Sequence, residues 1–288
     1  MSLDLVLYVA FGGGFVAGRL TAWRSPWVDS AAMGAVGVLL FLLGVGLGSL
    51  PAGSVIAEIP LAAGFALATL AGTLLVMRFL EAPRTQAPAT PPLPPRSSVL
   101  LPPVAFVAAL LVGVAVGAST SLRPGPATEY VLYGLLALVG FGLELDRARL
   151  RSAWRPIAAA VLAGVGVATV FAFSGLVPPV AAYSSAFAFG WYSLAGPLVG
   201  ARLGAALGLF AFLANFFREN VTMLSAPVAG PRVGGDGLAS MGGATSMDTT
   251  LFFVTRFGGR ESATVALATG IVLTTVAGVV VPLILALA

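Results

Sequence analysis

Gly242-Gly243-Ala244-Thr245-Ser246-Met247-Asp248-Thr249-Thr250 interrupts an otherwise apolar segment that runs from residue 238 to residue 257. Glycines, hydroxyl side chains and an aspartate do not belong together in a simple membrane-spanning helix. Irregular backbone at membrane depth survives only where it is buried in protein or lines a wet cavity. The segment therefore reads as a re-entrant hairpin or a broken helix. An alanine-rich run at 180–189 is interrupted in the same manner by Gly190-Trp191-Tyr192-Ser193-Leu194-Ala195-Gly196-Pro197. Each interruption precedes a full apolar span, 203–228 after the first and 262–288 after the second. Aligning Gly190 with Gly243 places Ser193 on Ser246 and Leu198 on Leu251, the pattern of a hairpin-plus-helix unit repeated upside down.

Composition makes lipid the solvent. The 288 residues are 58% hydrophobic and 9% charged, with a mean hydropathy of +1.01, against about 25% charged in ordinary soluble domains. At about 20 residues per crossing there is room for about eight to ten spans and for no sizeable soluble domain. The net charge of +4 and pI near 10.1 come from arginines scattered singly between apolar runs, which excludes a nucleic-acid-binding face. The chain has no His and no Cys, so imidazole relays, thiolate chemistry, disulfides and the usual zinc sites are all excluded. No metal and no cofactor is expected, protons being the expected coupling ion. Asp4 lies ahead of the first apolar run, with Arg19 and Arg24 behind it. A secretory signal has the reverse polarity, so residues 3–20 are read as the first transmembrane helix.

Six apolar runs, at 3–20, 30–50, 56–80, 104–120, 129–145 and 156–176, precede the first interruption. A proline-rich stretch at 83–103 separates the third from the fourth and reads as a semi-rigid linker. The first three helices resemble the second three: Leu40-Phe41-Leu42-Leu43-Gly44-Val45-Gly46-Leu47 matches Leu136-Ala137-Leu138-Val139-Gly140-Phe141-Gly142-Leu143, and Gly14 and Gly18 match Gly113 and Gly117. Three is an odd number, so the second copy enters the membrane inverted. The expected division is a three-helix repeat at 1–82, a cytoplasmic linker at 83–103, an inverted repeat at 104–179, and hairpin-plus-helix units at 180–230 and 231–288. Arg19 and Arg24, then Arg78, Arg84 and Arg96, then Arg147, Arg149, Arg151 and Arg155 follow odd-numbered helices. Cytoplasmic loops are enriched in such residues, so both termini are expected outside. The expected fold is an all-α integral membrane protein of about eight transmembrane helices plus two re-entrant or broken-helix hairpins, built from inverted repeats.

An ionisable residue inside a span is a functional hypothesis by default. Glu219 follows the apolar run 203–217, which at about 1.5 Å per residue carries it deep into the membrane. Asp248 stands at the second interruption among Thr245, Ser246, Thr249 and Thr250. Carboxylates among hydroxyls suit a primary ammonium group, which offers donors and no acceptor. The same acids bind protons, so cation and proton compete for one place. The competing reading pairs Arg218 and Arg256 with Glu219 and Asp248 to hold the bundle together. Arg218 is open to two roles, binding a substrate carboxylate or serving as an ion-pair partner. Asn215, one turn earlier, shares its helix face or makes an interhelical hydrogen bond. Trp191 and Tyr192 are either interfacial belt residues or a gate and cavity wall. Gly234-Gly235-Asp236-Gly237 reads as a solvated turn, which argues against an intramembrane aspartyl protease built on Asp236 and Asp248. Glu58, Glu144 and Asp146 fall near expected interfaces and read as solvated.

Phe189-Gly190-Trp191-Tyr192-Ser193-Leu194-Ala195-Gly196, the Arg218-Glu219 pair, and Gly243-Ala244-Thr245-Ser246-Met247-Asp248 followed by Arg256-Phe257-Gly258-Gly259 together resemble the bacterial and archaeal lysine exporter LysO family. The motifs stand in that family's order and spacing and cover mainly the last third. The first 180 residues match it in hydropathy and layout. The resemblance implies a secondary carrier rather than an enzyme, exporting L-lysine and its toxic analogues across the cytoplasmic (inner) membrane in exchange for protons. It also implies eight spans with both termini outside. Carried over residue by residue, the motif acids are Glu219 and Asp248, with Ser193 and Ser246 as hairpin positions. The expected site also includes Asn215, Arg218, Thr245 and Thr249. Another cationic amino acid or a polyamine as cargo, and a scaffold without transport, are the competing readings. A homo-oligomer is compatible with the sequence.

Overall fold

The computed structural model describes residues 3–21, 26–49, 52–80, 96–120, 122–124, 126–141 and 147–288. Arg24, Arg84, Glu144, Asp146 and the proline-rich residues 83–95 lie outside the described residues. The described segments form eleven α-helices: α1 Leu3–Thr21, α2 Pro26–Gly48, α3 Ala52–Leu80, α4 Arg96–Ser119, α5 Ala127–Phe141, α6 Trp154–Phe173, α7 Pro179–Phe187, α8 Tyr192–Leu203, α9 Ala205–Gly242, α10 Leu251–Gly258 and α11 Ala263–Leu285. Short 3-10 turns lie at Arg147–Ala153, Gly243–Met247 and Arg260–Ser262. Among the described residues, Glu58–Leu80, Arg149–Phe173 and Arg260–Leu285 are long and apolar enough to cross a membrane, and Ser30–Gly46 and Val104–Ser119 are shorter apolar helices.

The chain divides into two compact units. One gathers residues 1–52 and 96–145, the other residues 53–95 and 146–288. In the first unit α2 packs along α4 and α1 along α5. Glycine makes these approaches close. A methyl group added at Gly14 or Gly18 would land on the backbone of Ala137 or Phe141, and one added at Gly113 or Gly117 on the backbone of Phe41 or Val45. Helices in lipid have no hydrophobic drive to associate, so backbone-to-backbone packing of this type is a main source of adhesion. Helix α4 starts at Arg96, inside the stretch read as linker.

In the second unit α7 packs along α6 and α11, while α8 and α10 pack along α9. Phe65 of α3 meets the rings of Phe171 and Phe210 edge-on at 5.0 and 5.5 Å. The expected span at 203–228 is longer in the structure, since α9 continues through Pro227 and Pro231 to a kink at Gly234, φ 69°. The kink replaces the solvated turn expected at 234–237. Gly235 and Gly237 are buried there, and Gly235 is packed against Ser262 and Gly258. Beyond the kink the distal arm of α9 turns through Gly243–Met247, and α10 folds back along it.

The first unit's seam yields a direct expectation. Gly113→Val should lower stability by about 1–3 kcal/mol through overpacking against Phe41. Thermal unfolding of the purified chain in detergent reads this, and an unchanged midpoint would show that α2 and α4 are not seated so closely.

A candidate cation site at two helix breaks

Helix α7 ends at Phe187, and the next residues leave helical geometry abruptly. Phe189 has φ 51° and Gly190 φ 99°. A left-handed conformation in a bulky residue costs about 1–3 kcal/mol and persists only where its surroundings impose it. Here they do. Phe189 is fully buried against Ala160, Ala244, Leu273 and Ala277, and its carbonyl accepts the N–H of Ala244 at 3.0 Å. Gly243, φ 64°, sits on the other side of that bond with no space for a side chain, since a methyl group would meet Phe189 and Arg218. The two interruptions read from the sequence thus touch, backbone to backbone.

A helix that stops inside protein leaves carbonyls and N–H groups in need of partners. Helix α9 supplies them at both breaks. The amide of Asn215 donates to the carbonyls of Ser185 and Ala211 at 3.0 Å each, and its oxygen accepts the Gly190 N–H at 2.8 Å. One turn on, the Arg218 guanidinium donates through Nε to Met241 O and through Nη2 to Ser240 O, both at 3.2 Å. These carbonyls end the distal arm of α9, where the helix dipole favours a cation. Ser246 Oγ lies 2.7 Å from Gly243 O and 2.8 Å from Ala266 O, tying the second break to α11. Thr245 Oγ1 donates to Gly242 O at 3.0 Å.

Glu219 follows Arg218 on α9 and is 1% exposed. The Thr249 hydroxyl donates to Glu219 Oε1 and stands 3.2 Å from Asp248 Oδ1, and the Thr249 N–H also donates to Asp248 Oδ1. One hydroxyl therefore bridges two carboxyl groups. Glu219 Oε2 is buried without a hydrogen-bond partner among the described residues. Tyr192 stands at the start of α8. Its ring is held edge-on by Phe212 and Phe216 at 5.2 and 5.7 Å.

The sequence-derived residues thus separate into groups. Glu219, Asp248 and Thr249 come together, and Tyr192 packs against Phe212 and Phe216. Asn215, Arg218, Ser246 and Thr245 hold the backbone of the breaks, and Arg218 meets carbonyl oxygens rather than Glu219. Trp191 is half-buried and packs beside Phe189 and Ala244. Ser193 is exposed and lies outside the buried group, because position in an alignment does not fix which way a helix face turns. Glu58 is partly buried on α3. Sequence reasoning passed over Thr69, Ser184, Ser185 and Asn220, all buried. The signal for the serines was their adjacency inside an alanine-rich run.

Replacing Asn215 with alanine should remove three hydrogen bonds and leave the Gly190 N–H and Ser185 carbonyl unpartnered. A loss of about 1–3 kcal/mol is expected for a buried group stripped of its partner. Thermal unfolding in detergent measures it, and a midpoint equal to wild type would show that the first break does not depend on this side chain.

The profile of the family described as lysine exporter LysO matches residues 104–285. The chain is similar to the lysine exporter LysO of Escherichia coli (strain K12), with 30% identity over 190 residues that cover 63% of this chain and 63% of the relative. The match thus spans less than two thirds of the relative's length. No solved structure matches the chain. With the profile covering well over half of its residues, the chain belongs to the lysine exporter LysO family.

Proposed function

We propose that the chain is a secondary carrier that exports L-lysine and lysine analogues across the cytoplasmic membrane in exchange for protons, with Glu219 and Asp248 as the acids that bind the cation. Membership of the family and the E. coli relative's name support lysine as cargo. The single observation that carries the mechanism is the Thr249 hydroxyl bridging buried Glu219 and half-buried Asp248, with Glu219 Oε2 left unpartnered among the described residues. A hydroxyl brings one proton to the pair. An ammonium group brings three N–H donors and a positive charge, and can satisfy both carboxylates together. Without the cation, an ionised carboxylate with an unpartnered buried oxygen is strongly disfavoured, and a proton takes the cation's place. Proton and cation then occupy the same acids by turns, which is the requirement for exchange.

The proposed layout has eight spans, α1 to α6 with α9 and α11, both termini outside, and a cytoplasmic linker at 83–95, ahead of α4. The first unit's packing supports a three-helix inverted repeat at 1–82 and 104–179. Under the match of Gly14 with Gly113 and of Phe41 with Ala137, the contact of Gly14 with Ala137 becomes the contact of Gly113 with Phe41. Gly18 with Phe141 likewise becomes Gly117 with Val45. Two helix pairs related in this way are what a two-fold axis in the membrane plane produces. The units at 180–230 and 231–288 are proposed as a second inverted pair, with Gly190 and Gly243 at corresponding breaks.

Proteoliposomes loaded with labelled lysine test the carrier. Acidifying the outside should accelerate efflux, and Glu219→Gln and Asp248→Asn should each lower it by about tenfold or more, the worth of one charge-assisted hydrogen bond. Efflux indifferent to the proton gradient, or unchanged in both variants, would contradict the mechanism. Faster efflux of ornithine or a polyamine than of lysine would keep the mechanism and change the cargo.

A further inference from the structure

Between α3, α7 and α9 lies a cavity of about 10 Å³, lined by Phe65, Ala66, Thr69, Ser185, Asn215 and Arg218 among others. Its volume is that of one water molecule, since a water needs about 10–15 Å³ of such space. Neither a carboxylate nor a lysine side chain fits. The lining is mixed: Phe65 and three alanines supply apolar walls, and Thr69, Ser185, Asn215 and Arg218 bring polar residues to the same small space. Ser185 is 2% exposed and its Oγ is buried without a hydrogen-bond partner. Thr69 Oγ1 donates to Phe65 O at 2.7 Å, so its oxygen keeps lone pairs to offer. Arg218, 2% exposed, commits Nε and Nη2 to backbone carbonyls. A buried guanidinium requires further polar contact, and empty cavities in proteins are lined by hydrocarbon.

We propose that this cavity is a resident single-water site that partners the Ser185 hydroxyl and completes the solvation of Arg218. The water joins α3 to the first break through α7 and to the second through Arg218. It also supplies the guanidinium with a neutral ligand, so that the arginine needs no carboxylate. The inference stands on cavity, burial and hydrogen-bonding chemistry and holds whatever the carrier transports.

Two substitutions and their combination test it in the full chain. Ala66→Val fills the cavity, and Ser185→Ala removes the hydroxyl that the water serves. With a water present, Ala66→Val should lower the thermal midpoint by about 2–4 °C more in the wild-type background than beside Ser185→Ala. Overpacking in a shared cavity also couples neighbouring residues, so the coupling counts for a water only together with density at Ser185 Oγ. An equal effect, or a midpoint raised by Ala66→Val alone, would overturn the proposal. An experimental density map of the wild type that resolves waters should show a peak within hydrogen-bonding distance of Ser185 Oγ. Empty density there would overturn it even if Ala66→Val yields no folded protein.

Discussion

Two helices stop in the interior of the second unit, and one side chain at each stop makes that tolerable. Backbone groups in a lipid environment have no water to turn to, so every interrupted helix needs a built-in substitute. Asn215 provides it for the carbonyl of Ser185 and the N–H of Gly190, and Arg218 for the carbonyls of Ser240 and Met241. Both sit on α9, one turn apart. The left-handed Phe189, the bond from Ala244 to its carbonyl, and the crowded Gly243 all depend on that double attachment.

The attachment also determines how charge is distributed. Arg218 and Glu219 are neighbours in sequence, yet successive residues on a helix point about 100° apart. The guanidinium is directed to the carbonyl end of the distal arm of α9, while the carboxyl group meets the Thr249 hydroxyl, which also stands at Asp248. A buried cation held by carbonyls does not neutralise the adjacent acid, and a buried acid without an arginine partner retains affinity for another cation. Under the proposed mechanism that division of labour is what makes Glu219 available for exchange.

Much of this was legible in the sequence where chemistry conflicts with solvent. Glycine, threonine and aspartate inside an apolar run marked the second break, glycine, serine and proline marked the first, and ionisable residues inside spans marked Glu219 and Asp248. The pairing of Gly14 and Gly18 with Gly113 and Gly117 marked the close seams of the first unit, because only glycine permits such contact. What the sequence left open depends on rotation about a helix axis. It could not say whether Arg218 turns to a carboxylate or to carbonyls, nor that Ser193 lies exposed while Ser246 is tied to α11. The length of α9 was another such point: the span read at 203–228 continues through Pro227 and Pro231 and kinks at Gly234, where a solvated turn was expected.

The central claim is that Arg218 is fastened to backbone and Glu219 is not its ion-pair partner. A double-mutant cycle of Arg218→Gln and Glu219→Gln, followed by thermal or chemical unfolding, tests it most directly. The expected result is additivity within about 0.5 kcal/mol, the loss from Arg218→Gln persisting in full when Glu219 is neutral. If Glu219→Gln instead restores about 3 kcal/mol to the Arg218→Gln protein, as when both members of a buried ion pair are removed together, the two charges belong to each other and the account is contradicted.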